Sequence, residues 1–185
     1  MSNLFKKAAV FTDIHFGLKS NSVLHNDDCL SFVRWATAKA VEEGCETCFF
    51  LGDWHNNRST LNIVTLNYSL QALEHLNANF ERVYFIPGNH DRLSSFHLLH
   101  ALSQAFAKWE IDFNINYEER KIITYGNSML CFEHGDVKAK NNPLVYAVEY
   151  PLEWGGSKYR TLYTGHFHKR KTKEYITENE EHGFI

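Results

Sequence analysis

The chain alternates short apolar runs with polar turns. Ala8-Ala-Val-Phe11 has the length of a buried strand and breaks at once into Thr12-Asp-Ile-His-Phe-Gly17. Thr47-Cys-Phe-Phe-Leu51 breaks in the same way into Gly52-Asp-Trp-His-Asn-Asn57. Between them Cys29, Phe32, Val33, Ala36 and Ala40 recur at helical spacing, with Asn26 and Asp27 as caps and Gly44 as the stop. A second helical face runs through Leu66, Leu70, Leu73 and Asn77, and a third strand, Arg82-Val-Tyr-Phe-Ile86, ends in Pro87-Gly-Asn-His-Asp91. Strand, helix, strand, helix, strand is the order of a parallel sheet built by right-handed crossovers. Ligands of such sheets gather beyond the carboxyl ends of the strands, where each of these polar turns falls.

After a further helix expected from Ser95 to Lys108 the pattern changes to short strands, Ile111 to Ile115, Ile122 to Tyr125 and Met129 to Glu133, with Gly126-Asn127 as a hairpin turn. Glu133-His-Gly-Asp136 and Thr164-Gly-His-Phe-His168 again follow apolar runs, so polar clusters recur at strand ends. Lys171 to Thr177 reads as a strand, Glu178 to Gly183 as a turn, and Phe184-Ile185 as the first residues of a returning strand. That leaves a hairpin half built, and the natural chain is expected to continue past residue 185. The whole reads as one α/β domain, residues 1–185, lacking its last strands or a cap.

Composition removes several classes. Fourteen Phe, nine Tyr and four Trp can fill a core, while ten Gly and three Pro leave little for a disordered or collagen-like segment. Without a long apolar span or a signal-peptide start, the expectation is a soluble cytoplasmic protein with no membrane contact. A net charge of -3 excludes a binder working through bulk positive charge, so any attraction for phosphate must be local. Cys29, Cys45, Cys48 and Cys131 read as reduced thiols; Cys45-Glu-Thr-Cys48 has neither the helix start nor the second pair that redox or zinc chemistry needs. The unusual count is eleven histidines, and only their positions give it meaning.

The strand-end clusters supply Asp13, His15, Asp53, Asn89, His134, His166 and His168. Imidazoles, carboxylates and an amide oxygen are borderline ligands suited to divalent transition ions. Each motif alone reads as an ordinary turn or a satisfied histidine; their occurrence in order, each after a strand, is what counts against that reading. Seven donors exceed the needs of one ion that must also admit substrate, so they suit two ions sharing a bridging carboxylate.

Asp13-Ile-His15, Gly52-Asp53, Gly88-Asn-His-Asp91, His134 and Gly165-His-Phe-His168 resemble the signature of the calcineurin-like metallophosphoesterase superfamily, over residues 8 to 168. The resemblance implies a metallophosphoesterase-like β-sandwich flanked by helices in αββα layers, with a parallel βαβ first half and a hairpin-rich second half. It implies one metal on Asp13, His15, Asp53 and His168, another on Asp53, Asn89, His134 and His166, and Asp53 as the bridge. Two such ions with a bridging hydroxide would leave a local charge of about +1, drawing phosphate and aiming the hydroxide for in-line attack. The leaving alkoxide needs a proton, for which His90 is the candidate general acid, with Asp91 orienting its ring.

Asp13-Ile-His-Phe-Gly17 is similar to the opening of the SbcD-type recombination-repair nuclease subunits. That likeness implies a nuclease of DNA repair or recombination acting on DNA, manganese as the ion with iron, zinc or cobalt as alternatives, and an ATPase partner subunit. Gly52-Asp-Trp-His-Asn-Asn-Arg58 and Asp91 depart from the Ser/Thr protein phosphatases. From the nuclease pattern the chain departs at Asn56, where those subunits often carry His or Asp, and in having no length for a DNA-binding cap. Arg58, Arg92, Lys169 and Arg170 are the substrate-binding candidates, with Lys138 and Lys140 nearby, and Trp54 and Trp154 are weighed as base-stacking or packing residues. A small-molecule phosphodiesterase or phosphomonoesterase is the alternative, and a non-catalytic scaffold of the same fold a further one.

Overall fold

The computed structural model describes residues 5–91, 115–117, 120–125, 128–135, 159–166, 174–176 and 182–184. Strands β1 (Ala8–Phe11), β2 (Thr47–Phe50), β3 (Arg82–Phe85) and β4 (Ile115–Tyr117) form a parallel sheet in that order. Phe11, Phe50 and Phe85 lie side by side in the register, so the three polar turns leave the sheet at one level. Of the expected strand 111–115 only Ile115 lies among the described residues, where it opens β4, and β4 extends the first sheet.

The second sheet contains β5 (Arg120–Tyr125), β6 (Ser128–Glu133), β7 (Tyr159–Thr164), β8 (Glu174–Ile176) and β9 (His182–Phe184), ordered β5-β6-β7-β9-β8. β5 and β6 are antiparallel with Tyr125 opposite Ser128, as a hairpin requires, and Gly126-Asn127 lies outside the described residues. β6 runs parallel to β7 with Glu133 opposite Thr164, which sends the chains toward His134 and His166 off the same edge. β9 begins at His182, within the expected turn 178–183, and pairs antiparallel with β8 and parallel with β7.

Both faces of the first sheet are covered, which is why β2 reads as an unbroken apolar run. Alternation sends Cys48, Phe50, Val83 and Phe85 toward the helices and Phe49, Leu51, Tyr84 and Ile86 toward the second sheet. There Phe49 stacks on Phe132 with centroids 3.9 Å apart and planes at 4°, a contact that docks one sheet on the other.

The helices α2 (Val23–Glu42) and α3 (Ile63–Asn79) cover the opposite face, and α1 (Leu18–Asn21) is a single turn in which Lys19 and Ser20 are left-handed. α2 begins earlier than its sequence suggests. Ser22 caps it by accepting from His25 N at 3.4 Å, while Asn26 is buried inside the helix. Asn26 Oδ1 accepts from Gly17 N at 2.8 Å and its Nδ2 donates to Thr65 Oγ1 at 3.0 Å, tying the first polar turn to α3. Asn62 caps α3 by accepting from Val64 N at 2.8 Å. No helix among the described residues is long and apolar enough to cross a membrane. The helix expected at 95–108 lies outside the described residues.

Candidate metal centre

Beyond the ends of β1 and β2 the backbone ladder continues through the polar turns. Asp13 N donates to Gly52 O at 2.9 Å, His15 N to Asp53 O at 3.0 Å and Phe16 N to Trp54 O at 2.8 Å. Asp13, His15, Asp53 and His166 all hold left-handed backbone, with φ of 58°, 55°, 57° and 69°. Each such residue costs roughly 1–2 kcal/mol, and the concentration of that strain on four of the seven donors is typical of a site whose surroundings force the geometry.

Glycine is required where the β2 and β3 turns meet. A Cβ on Gly52, whose φ is 100°, would lie 2.5 Å from Gly88 N and 2.6 Å from His134 Nδ1, and one on Gly88 would strike the Asp53 carboxylate. The two glycines therefore allow Asp53, Asn89 and His134 to share one small volume.

His15 Nε2 lies 3.8 Å from Asp13 Oδ1 and 3.7 Å from Asp53 Oδ2. His134 Nε2 lies 3.3 Å from Asp53 Oδ2 and 3.1 Å from Asn89 Oδ1. His166 joins through its backbone, its N donating to Asp13 Oδ2 at 3.1 Å. Ligand atoms of His15, Asp53 and His90 come within 4.8 Å of one another, and so do those of Asp53, His134 and His166. The two groups share Asp53, and their imidazole and carboxylate chemistry fits a divalent ion. Six of the seven expected donors thus lie together, and His168 lies outside the described residues.

The orientation of His134 agrees with that use. His134 Nδ1–H donates to Leu51 O at 2.6 Å, which fixes the tautomer and turns Nε2 toward Asp53 and Asn89. Burial pushes the Asp53 carboxyl upward, but the hydrogen bond and charge of His134 and the His90 N–H outweigh it, leaving Asp53 below its ordinary value. Burial pushes His134 downward, but the hydrogen bond and charge of Asp53, with Leu51 O and Asp13, leave it above its ordinary value. Without an ion each supports the charged form of the other, and an ion bound at Nε2 would take the place of that proton.

The expected role of Asp91 requires correction. Its buried carboxylate accepts from Trp54 N at 3.2 Å, His55 N at 3.1 Å and Gly88 N at 3.0 Å, binding the β2 turn to the β3 turn. The ring of His90 is held instead by Asn56 O, 2.5 Å from Nδ1, while His90 N donates to Asp53 Oδ1 at 2.9 Å. A backbone carbonyl carries no signature in the sequence, so this partner was hidden there. Asp91 follows the turn into the interior, where three N–H groups need an acceptor.

Trp54 is fully buried against Phe16, Phe50 and Phe85, so it packs the core and cannot stack a base. His55 is likewise buried, with Nε2 3.0 Å from Ser69 Oγ of α3. Arg58 is exposed on the loop after Asp53. Arg92, Lys138, Lys140, Trp154, Lys169 and Arg170 lie outside the described residues.

This convergence of strand-end carboxylates, imidazoles and an amide on a two-sheet sandwich makes a candidate divalent-metal centre. The model of the calcineurin-like phosphoesterase superfamily domain matches residues 7–181, and the chain belongs to that superfamily. Curated protein sequences contain no match. Among solved structures, the chain is similar to the Pseudomonas putida nuclease MPE, at 21% identity and a TM-score of 0.44, covering 69% of this chain and 53% of that one. It is also similar to Chaetomium thermophilum Vps29, at 12% identity and a TM-score of 0.46, covering 96% and 68%. The E. coli phosphoesterase YfcE follows at 14% identity and a TM-score of 0.39, covering 69% and 57%. The chain thus spans little more than half the length of the nuclease and of YfcE.

Proposed function

We propose that this protein is a metal-dependent phosphodiester hydrolase acting on nucleic acid, of the DNA repair or recombination type. The observation that carries the reading is that Asp53 lies between two clusters, one with His15 and His90 and one with His134 and His166, of which His90 is read as the proton donor and not as a ligand. On this reading Asp13, His15, Asp53 and His168 hold one divalent ion, and Asp53, Asn89, His134 and His166 hold the other, with manganese as the expected metal. Bound there, the pair supplies the Lewis acidity that activates water and offsets phosphate charge.

The protein's own contribution is orientation and a proton. Leu51 O keeps His134 Nε2 facing Asp53, and the left-handed turns hold Asp13 and His15 beside it. Because Asn56 O accepts from His90 Nδ1, Nε2 is the atom left to protonate the leaving alkoxide. His90→Asn should retain bound metal and lower kcat on a diester by about 10²–10⁴, measured beside metal content. Unchanged kcat removes His90 from the mechanism.

Arg58, with Arg92, Lys169 and Arg170, is assigned to phosphates flanking the scissile bond, and an ATPase partner subunit belongs to the same reading. Nucleic-acid specificity is tested with metal-loaded protein on bis-p-nitrophenyl phosphate, p-nitrophenyl phosphate and labelled single- and double-stranded DNA. Cleavage of DNA that weakens with rising salt is expected. Hydrolysis of the monoester alone would replace the nuclease with a small-molecule phosphatase, and no hydrolysis of any of them with a scaffold.

A further inference from the structure

The turn that carries Asp13 and His15 is held from two sides, and only one of them is the sheet. Its amide groups face the β2 turn, where Gly52 O, Asp53 O and Trp54 O accept from Asp13, His15 and Phe16. Its carbonyls are met by α2. Cys29 Sγ donates to Ile14 O at 3.3 Å, and His25 Nε2 lies 3.2 Å from His15 O. His25 and Cys29 stand four residues apart on one helix face, with Nε2 and Sγ 3.4 Å from each other. Asn26, beside His25, accepts from Gly17 N at 2.8 Å. The start of α2 thus grips backbone groups at Ile14, His15 and Gly17.

The proton positions follow from the partners. A carbonyl only accepts, so His15 O requires a hydrogen on His25 Nε2, and the Cys29 hydrogen then goes to Ile14 O and not to the imidazole. Burial and the charge of Asp28 push the Cys29 thiol up to about 11, so it is protonated and able to donate. The turn has need of such a grip. Asp13 and His15 are both left-handed, a backbone that surroundings must enforce, and relaxation would carry their side chains away from Asp53.

We infer that His25 is a positioning residue for the metal centre: with Cys29 as its weaker partner, it holds the carbonyls of the turn so that Asp13 and His15 stay set to receive a divalent ion. The inference rests on the reading of Asp13 and His15 as ligands. His25 acts through the backbone of His15, so its loss should lower affinity while every donor remains.

The test is a titration of the metal-free chain with cobalt(II), followed by the visible absorption bands that report the ligands of the ion. His25→Leu should weaken cobalt binding about 10–100-fold and alter the bands. His25→Gln, whose amide nitrogen can reach the same carbonyl, should restore most of the affinity. Cys29→Ala should weaken binding less, because a thiol is a weak donor, and it tests the grip independently should His25→Leu fail to fold. Urea unfolding of each metal-free variant shows whether it is folded, and His15→Ala gives the loss expected from removing a ligand. Unchanged affinity in folded His25→Leu beside a loss in His15→Ala overturns the inference alone, as does a loss in His25→Gln equal to that in His25→Leu. Unchanged affinity in His15→Ala overturns the ligand assignment beneath it as well.

Discussion

The two donor groups that share Asp53 are built differently. His15, Asp53 and His90 come from consecutive turns of one parallel sheet, whose backbone ladder, Asp91 carboxylate and Gly52–Gly88 contact hold them in one piece. Asp53, His134 and His166 span both sheets, so their meeting depends on how the second sheet docks on the first through Phe49 and Phe132. The first group is local architecture, and the second is a consequence of core packing. Disturbing the core between the sheets should therefore damage the second group before the first.

The largest effect is expected where the groups coincide. Asp53→Asn removes a carboxylate common to both, and should cut hydrolysis by more than about 100-fold with loss of bound metal, read by turnover and elemental analysis. Phe132→Ala should destabilise the fold by about 3–5 kcal/mol in urea unfolding. It should also weaken metal binding at His134 and His166 while sparing the group with His15; equal weakening at both would break the comparison. On the first-sheet side, Asp91→Ala leaves three backbone N–H groups without their acceptor, and should cost about 1.5–3 kcal/mol in the same assay.

The smallest effect concerns pH and the helix-side core. Burial and the neighbouring Asp28 push the Cys29 thiol up from 9.0 to about 11, and complete burial pushes Cys48 up as well. A pKa raised by folding contributes stability that is fully present below the unfolded value and is lost as pH rises. Stability should therefore fall above pH 9, by at most about 1.4 kcal/mol per pH unit for each thiol. Cys29→Ala should flatten the decline in urea melts between pH 9.0 and about 11, the unfolded and folded values of the thiol. An unchanged slope would remove Cys29 as its source.

Strands β1 to β3 and their polar turns were legible because apolar runs and turn residues are local signals. The candidate donors that the structure brings together were legible for the same reason, each lying just after such a run. What misled were side chains whose partners lie far along the chain. Asn26 reads as a cap until Gly17 and Thr65 claim both ends of its amide, and Asp91 reads as the partner of its neighbour His90 until Trp54 and His55 present their N–H groups. For Trp54 both stacking and packing were open, and Phe16, Phe50 and Phe85, which enclose it, decide for packing.

Donor types, their order and the strand ends that carry them are thus written along the polypeptide, since local period and turn chemistry suffice for them. Which atoms face one another is not. That Asp53 serves two groups, that a carbonyl at Asn56 steers His90, and that His134 arrives from another sheet all depend on contacts between segments distant in sequence. Those contacts exist only once both faces of the first sheet have been packed.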